Sequence, residues 1–370
     1  MTIKCPKCRH ENPDDTLFCG KCATPLSSSQ SDEATKTIET SREEMTRGTK
    51  LADRYEIIEE LGKGGMGRVY RVEDTKLHQE IALKLIKPEV ASDAKTIERF
   101  QNELKTARMI AHKNVCRMFD LGESDGVHFI TMEFIKGEDL KSLTRKMGRL
   151  SPGQAITIAE QVCEGLSEAH RLGFVHRDLK PGNIMIDGAG NAHIMDFGIA
   201  RSLEAKGITG AGVIIGTPEY MAPEQVEGKE TDQRSDLYSL GVTLYEMLTG
   251  RVPFEGDTPF VIGVKHKSEV PRSPQEFNAE IPDDLNQIIL KCLEKDKEKR
   301  YQSAEDVYSE LQNIKQGIPT REQDAIRAKP LTSKEITVTL NARKFLPPLS
   351  FVMILIILGV FIWKPWGRKE

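Results

Sequence analysis

His176-Arg177-Asp178-Leu179-Lys180-Pro181-Gly182-Asn183, followed by a strand-like stretch and then Asp196-Phe197-Gly198, is where acidic, basic and amide side chains crowd together in the middle of the chain. What flanks this stretch decides the fold that carries it. Upstream, residues 55–61, 68–72 and 80–86 alternate between apolar and polar and are rich in β-branched and aromatic side chains, as strands are. After about Leu150 helical periodicity dominates. That order predicts an α+β chain of bilobal form, a small β-rich lobe followed by a larger helical one.

Gly62, Gly64 and Gly67 form a G-x-G-x-x-G with Val69 two residues later. Without side chains, such a loop lets backbone amides approach phosphate oxygens. A dinucleotide-binding fold needs a helix to open at the last glycine, but residues 68–74 read as a strand, so the loop is expected to be a strand-turn-strand flap. Next stands Lys84, a lysine in an apolar strand, where an unpaired ammonium is costly to bury. Ile97, Phe100, Leu104, Ala107 and Ala111 define one apolar stripe of a helix expected over 94–111. Glu103 borders that stripe whereas Glu98 points away, which makes Glu103 the expected partner of Lys84.

Taken together, the glycine loop, the strand lysine, the H-R-D-L-x-x-x-N stretch, Asp196-Phe197-Gly198 and Ala222-Pro223-Glu224 occur in the order found in protein kinases. The chain resembles that family over residues 51–314, and the wording from Gly216 to Gln225 is most similar to bacterial Hanks-type serine/threonine kinases. The resemblance implies ATP and Mg2+ as cofactors and protein hydroxyls as substrates. It casts Asp178 as the group that takes the substrate hydroxyl proton and Lys180 as a charge beside the γ-phosphate. Asn183 and Asp196 become the magnesium ligands, and Lys84, held by Glu103, the anchor of the α- and β-phosphates. Around the nucleotide it implies Leu61, Gly62, Gly64, Gly67, Val69 and Ala82, with Met132, Glu133 and Ile135 at the adenine and Asp139 at the ribose. Lys180 with Thr217 favours Ser/Thr substrates, Thr217 serving as substrate platform. Arg177 sits where an activating phosphate docks in relatives, with Thr209 the first choice of autophosphorylation site. Glu224 with Arg300, and Asp236 beneath the catalytic loop, are expected to support architecture. His112, ahead of Lys113-Asn114-Val115, resembles a family turn. The rival reading is a catalytically silent pseudokinase scaffold that recruits partners.

The 370 residues carry 52 basic and 56 acidic side chains, net charge -4, so no global electrostatic case for nucleic-acid binding exists. Cys116, Cys163 and Cys292 stand singly and read as small buried residues. In contrast, Cys5, Cys8, Cys19 and Cys22 form two C-x-x-C knuckles over residues 1–26, suited to tetrahedral Zn2+. A miniature zinc ribbon of two short hairpins is expected, with a redox dithiol pair as its alternative. Its Lys4, Lys7, Arg9 and Lys21 are nearly balanced by Glu11, Asp14 and Asp15, so no nucleic acid is expected there either.

Residues 27–50 are Ser, Thr and Glu rich and read as a flexible linker, and 315–344 as a polar juxtamembrane linker. No charge interrupts 345–363, which reads as one transmembrane helix bracketed by Lys344 and Lys364, a buried core helix being the alternative. Residues 364–370 form a short tail. Flanking charges tie, Lys334, Arg343 and Lys344 against Lys364, Arg368 and Lys369, so orientation follows from need. ATP and reduced thiolates place residues 1–344 in the cytoplasm, on the inner membrane. The expected partners are protein substrates and the membrane, and the reading allows a homodimer through the kinase domain.

Overall fold

The computed structural model describes residues 2–5, 8–13, 45–64, 67–87, 101, 104–105, 107–197 and 217–317, and the chain divides into two units, Met1–Thr49 and Lys50–Glu370. In the first unit β1 (Thr2–Lys4) pairs antiparallel with β2 (Glu11–Pro13). The Cys5 N–H donates to the His10 carbonyl at 2.9 Å and the Arg9 N–H to the Cys5 carbonyl at 2.9 Å, with Arg9 at φ 59°. This tight turn puts the first knuckle at the hairpin end, with Cys5 buried. The second knuckle, Cys19 and Cys22, lies outside the described residues.

The second unit opens on a six-stranded antiparallel sheet in the order β3-β4-β5-β6-β8-β7. Its strands are β3 (Lys50–Leu51), β4 (Tyr55–Gly64), β5 (Gly67–Asp74), β6 (Gln79–Leu85), β7 (Met118–Ser124) and β8 (Val127–Glu133). Alternation sends Tyr55, Ile57, Tyr70, Val72 and Leu83 inward, as the sequence pattern requires. Lys50 belongs to β3, opposite Glu56, so the expected linker gives way to sheet one residue early. Leu104, Lys105 and Ala107 are helical, but the helix ends before Ala111, ahead of a turn at 113–114 that leads into the bridge of Val115 to Ile194.

Three short strands, β9 (Gly137–Asp139), β10 (Ile184–Asp187) and β11 (Ala192–Ile194), form a second sheet in the order β11-β10-β9. Helices follow: α1 (Leu140–Met147), α2 (Pro152–Arg171), α3 (Pro223–Val226), α4 (Gln233–Thr249), α5 (Pro259–Ser268), α6 (Asp283–Cys292) and α7 (Ala304–Gly317). Asp139 caps α1, and Ser151 with Gln154 makes a capping box that starts α2 beside Pro152. α1 therefore begins ahead of the boundary expected near Leu150. α4 is buried on nearly every side, from Leu237 through Leu248, so it forms the core of the helical lobe. Among the described residues no helix is long and apolar enough to cross a membrane, and residues 345–363 lie outside them.

One buried group links this core to pH. His266 on α5 is enclosed by Phe254, with ring centroids 4.9 Å apart, and its Nδ1 lies 2.9 Å from the Tyr238 hydroxyl. Burial, reinforced by the nearby Lys295 ammonium, pushes its pKa down to about 3. The unfolded chain then binds a proton that the folded chain refuses between about pH 6.5 and pH 3, so stability falls as pH falls through that window. We expect a loss of about 2 kcal/mol between pH 7 and pH 5 from this group. Denaturant titrations at both pH values check it, and His266→Gln should flatten the difference.

Candidate active site

Asp236, in the first turn of α4, organises the loop that carries the site. Its Oδ2 accepts from the His176 N–H and its Oδ1 from the Arg177 N–H, both at 2.8 Å, while His170 Nε2 lies 2.8 Å from Oδ2. Burial pushes this carboxyl up, but the His170 ring and the backbone donors outweigh it and hold the pKa below the ordinary value. The double backbone grip holds Arg177 at φ 65°, a conformation non-glycine residues seldom adopt. His176 Nδ1 accepts from the Asp178 N–H at 3.2 Å, which leaves the ring proton on Nε2 to be donated to the Met195 carbonyl at 2.9 Å. Thus one buried histidine joins the Asp178 turn to the residue before Asp196.

At the centre, the Lys180 ammonium donates to Asp178 Oδ2 at 2.7 Å and to Thr217 Oγ1 at 2.8 Å. Asn183 Nδ2 donates to the Asp178 carbonyl at 2.8 Å and to Asp178 Oδ2 at 3.0 Å. With Nδ2 so committed, the other amide atom, Oδ1, is presented as a hard oxygen donor. Asp196, at φ 50°, accepts from Lys84 Nζ at 2.7 Å through Oδ2. Burial works to raise the Asp196 carboxyl, and the Lys84 ammonium more than offsets it, so Asp196 stays ionised below the usual carboxylate range. Two hard oxygens, one anionic, suit Mg2+, which prefers such donors and keeps several waters. Phe197 is buried with its ring 5.7 Å from Phe174 and 4.8 Å from His176, fixing the chain just after Asp196.

Of the expected site residues, Asp178, Lys180, Asn183, Asp196, Lys84 and Thr217 come together. Lys84 pairs with Asp196, and Glu103, its expected partner, lies outside the described residues, as do Gly198 and Thr209. The glycine loop is a hairpin as predicted, with Gly62 opposite Val69 and Gly64 opposite Gly67. In β6, Ala82 stands opposite Met132 in β8, and both are buried. The Glu133 N–H is spent on the Arg117 carbonyl at 2.9 Å, so the carbonyl is what Glu133 has left for a base. Ile135 is buried beside it, whereas Leu61 is largely exposed. Asp139, cast at the ribose by the resemblance, is seen as the cap of α1: Oδ1 accepts from the Ser142 N–H and Oδ2 from the Ser142 hydroxyl, each at 2.8 Å.

A Cβ on Gly67 would lie 1.7 Å from the Leu85 carbonyl oxygen, an impossible contact with backbone. Gly67→Ala must therefore displace β5 from β6 at the mouth of the flap. Its affinity for a fluorescent ATP analogue is expected to fall about tenfold or more, checked by equilibrium titration.

Three features went unread. His170 lies on the buried face of α2, where a histidine gives no signal apart from its position. The Tyr220 hydroxyl donates to Glu246 Oε2 at 2.6 Å beneath the Thr217 platform. The third is the hold of Asn114 and Gln161 on Ala192 of β11. Elsewhere Glu224 and Arg300 pair as expected, and burial pushes the Cys116 and Cys163 thiols up and Cys292 to about 12, as inert core cysteines require. Among the described residues no three His, Cys, Asp or Glu side chains cluster to hold a metal.

Residues 55–311 match the family described as protein kinase domain, and residues 4–26 the zinc-ribbon domain. A probable serine/threonine-protein kinase of Clostridium acetobutylicum is 39% identical over 280 residues, 76% of this chain and 43% of that protein. Serine/threonine-protein kinase PrkC of Bacillus subtilis is 39% identical over 267 residues, 72% of this chain and 41% of PrkC. The chain thus spans less than half the length of these curated relatives. Among solved structures, the PknI kinase domain of Mycobacterium tuberculosis superposes with a TM-score of 0.60 at 26% identity, over 73% of this chain and 99% of that one.

Proposed function

The chain belongs to the protein kinase domain family, and on that premise we propose that it transfers the γ-phosphate of ATP to Ser and Thr hydroxyls of proteins, its own included. The observation that carries this reading is the Lys180 ammonium shared between Asp178 and Thr217. It sets the carboxylate that takes a hydroxyl proton beside a threonine that shapes the substrate platform, and leaves a positive charge where the transferred phosphate must pass. Phosphoryl transfer needs positioning and charge neutralisation more than covalent help. Asp178 orients the incoming hydroxyl and accepts its proton, Lys180 stabilises the charge on the phosphoryl oxygens, and Lys84 anchors the nucleotide phosphates. Asn183 Oδ1 and Asp196 would hold Mg2+. When bound, the ion supplies neutralisation of the phosphate charge. A silent scaffold is disfavoured because each of these positions carries a side chain able to do its task.

Beyond the kinase domain, the same proposal reads residues 345–363 as a single membrane span, supported by their uncharged apolar run, and keeps residues 1–344 in the cytoplasm. Cys5, Cys8, Cys19 and Cys22 hold a structural Zn2+, supported by the knuckle spacing and the zinc-ribbon match. Thr209 receives the activating autophosphate, which pairs with Arg177; full activity of Thr209→Ala with no phosphate on Thr209 in wild type would remove that part. To test the core reading, the full chain is incubated with γ-labelled ATP, a generic protein substrate, and Mg2+ or a chelator. Label on protein that disappears with chelation is expected. Nucleotide binding without any label would favour the scaffold.

A further inference from the structure

The turn at His112-Lys113-Asn114-Val115 has so far no part in the site. His112 Nδ1 accepts from the Asn114 N–H at 3.2 Å and closes the turn. The chain then runs extended. The Ile194 N–H donates to the Asn114 carbonyl at 2.8 Å and the Cys116 N–H to the Ile194 carbonyl at 2.9 Å, so Val115 bridges Ile194 in parallel. One residue on, the Arg117 carbonyl accepts from the Glu133 N–H at 2.9 Å, and the Cys116 thiol lies 3.5 Å from the Glu133 carbonyl oxygen. A single short segment therefore touches both the strand that leads to Asp196 and the backbone on the adenine side.

Side chains lock it in place. Buried Asn114 donates through Nδ2 to the Ala192 carbonyl at 2.7 Å and to Gln161 Oε1 at 3.1 Å. The same Gln161 oxygen accepts from the Ala192 N–H at 2.7 Å. Both backbone groups of Ala192 are thus held by side chains, one of them from α2. Where the segment crosses α2 the helix carries Gly165, whose Cβ would stand 3.0 Å from the Asn114 oxygen and 2.9 Å from Ile194 Cδ1. The helix leaves room for the brace and supplies its anchor.

We propose that Asn114 and Gln161 are positioning residues for phosphoryl transfer: by holding Ala192 and Ile194 they set the strand that presents Asp196, and through residues 116 and 117 they tie it to Glu133. This rests on the kinase reading above. Mg2+ demands near-ideal octahedral geometry, so a small displacement of one ligand shows first as weakened metal binding. Gln161→Met keeps length and bulk but offers the Ala192 N–H no oxygen acceptor. Gln161→Glu keeps an oxygen at that point.

The test uses the full chain and two readouts: the Mg2+ concentration that half-saturates binding of a fluorescent ATP analogue, and steady-state transfer. For Gln161→Met the half-saturating Mg2+ is expected to rise about tenfold and kcat to fall about tenfold, with KM for protein substrate within about twofold. Gln161→Glu is expected to restore both. If Gln161→Met fails to fold, Gly165→Ala, which crowds the brace and removes no hydrogen bond, should raise the Mg2+ requirement at least about twofold. A folded variant with the wild-type Mg2+ requirement overturns the proposal. A wild type that binds nucleotide and transfers nothing overturns the kinase reading instead.

Discussion

Asp178→Asn is expected to slow phosphate transfer by about 10²–10⁴-fold while nucleotide affinity stays within about threefold. The substitution is isosteric, and Asp178 is not the partner of the groups that would meet the nucleotide phosphates and metal, since Lys84 pairs with Asp196. Its carboxylate instead accepts from Lys180 at 2.7 Å and from Asn183 at 3.0 Å. An amide keeps one accepting oxygen for these donors, so the loop should hold its shape. What it loses is the charge that orients a hydroxyl and the basicity that takes its proton. Single-turnover label transfer measures the rate, and displacement of a fluorescent analogue measures the affinity. A variant within about threefold of wild type would remove Asp178 from the chemistry.

Glu224→Ala is expected to cost about 3–5 kcal/mol of stability, the range for stranding one partner of a buried ion pair. The Arg300 side chain is fully buried and Glu224 is 8% exposed, with the two N–H···O contacts both at 2.9 Å. Ser235 adds a hydrogen bond to Glu224 at 2.7 Å. Arg300 would keep the carbonyls of Glu294, Lys295 and Arg234, yet none of them cancels its charge. Desolvation pushes the Glu224 carboxyl up, but the guanidinium holds it below the ordinary value. The pair therefore stabilises at neutral pH and loses its contribution as pH falls through the depressed pKa. The melting temperature should drop by roughly 6–10 °C. Glu224→Leu combined with Arg300→Met should recover much of the loss, since no buried charge is then left alone.

Alternation in 55–61 and 68–72 foretold β4 and β5, because one face of that sheet is buried and period two is then enforced. Which side chains converge was implied by the resemblance of the motifs to protein kinases and not by local chain geometry, since Lys180 reaches Thr217 across 37 positions. The Lys84 partner was a different matter. A helical wheel ranks Glu103 over Glu98, and Glu103 lies outside the described residues; the contact with Asp196 spans 112 positions, which no helical wheel can supply. Asp139 shows a local signal passed over: an aspartate followed three residues later by a serine at a helix start is a cap, whatever its family role. Asn114 and Gln161 could not be paired in advance, because nothing in a helix and a turn read separately says that both reach Ala192.

The most direct measurement is phosphoamino-acid analysis of protein labelled by the full chain and by its Asp178→Asn variant under identical Mg2+ and γ-labelled ATP. The predicted result is phosphoserine and phosphothreonine from the wild type and neither from the variant, with nucleotide bound by both. Nucleotide bound by both with no labelled amino acid from the wild type, or equal label from each, would contradict it.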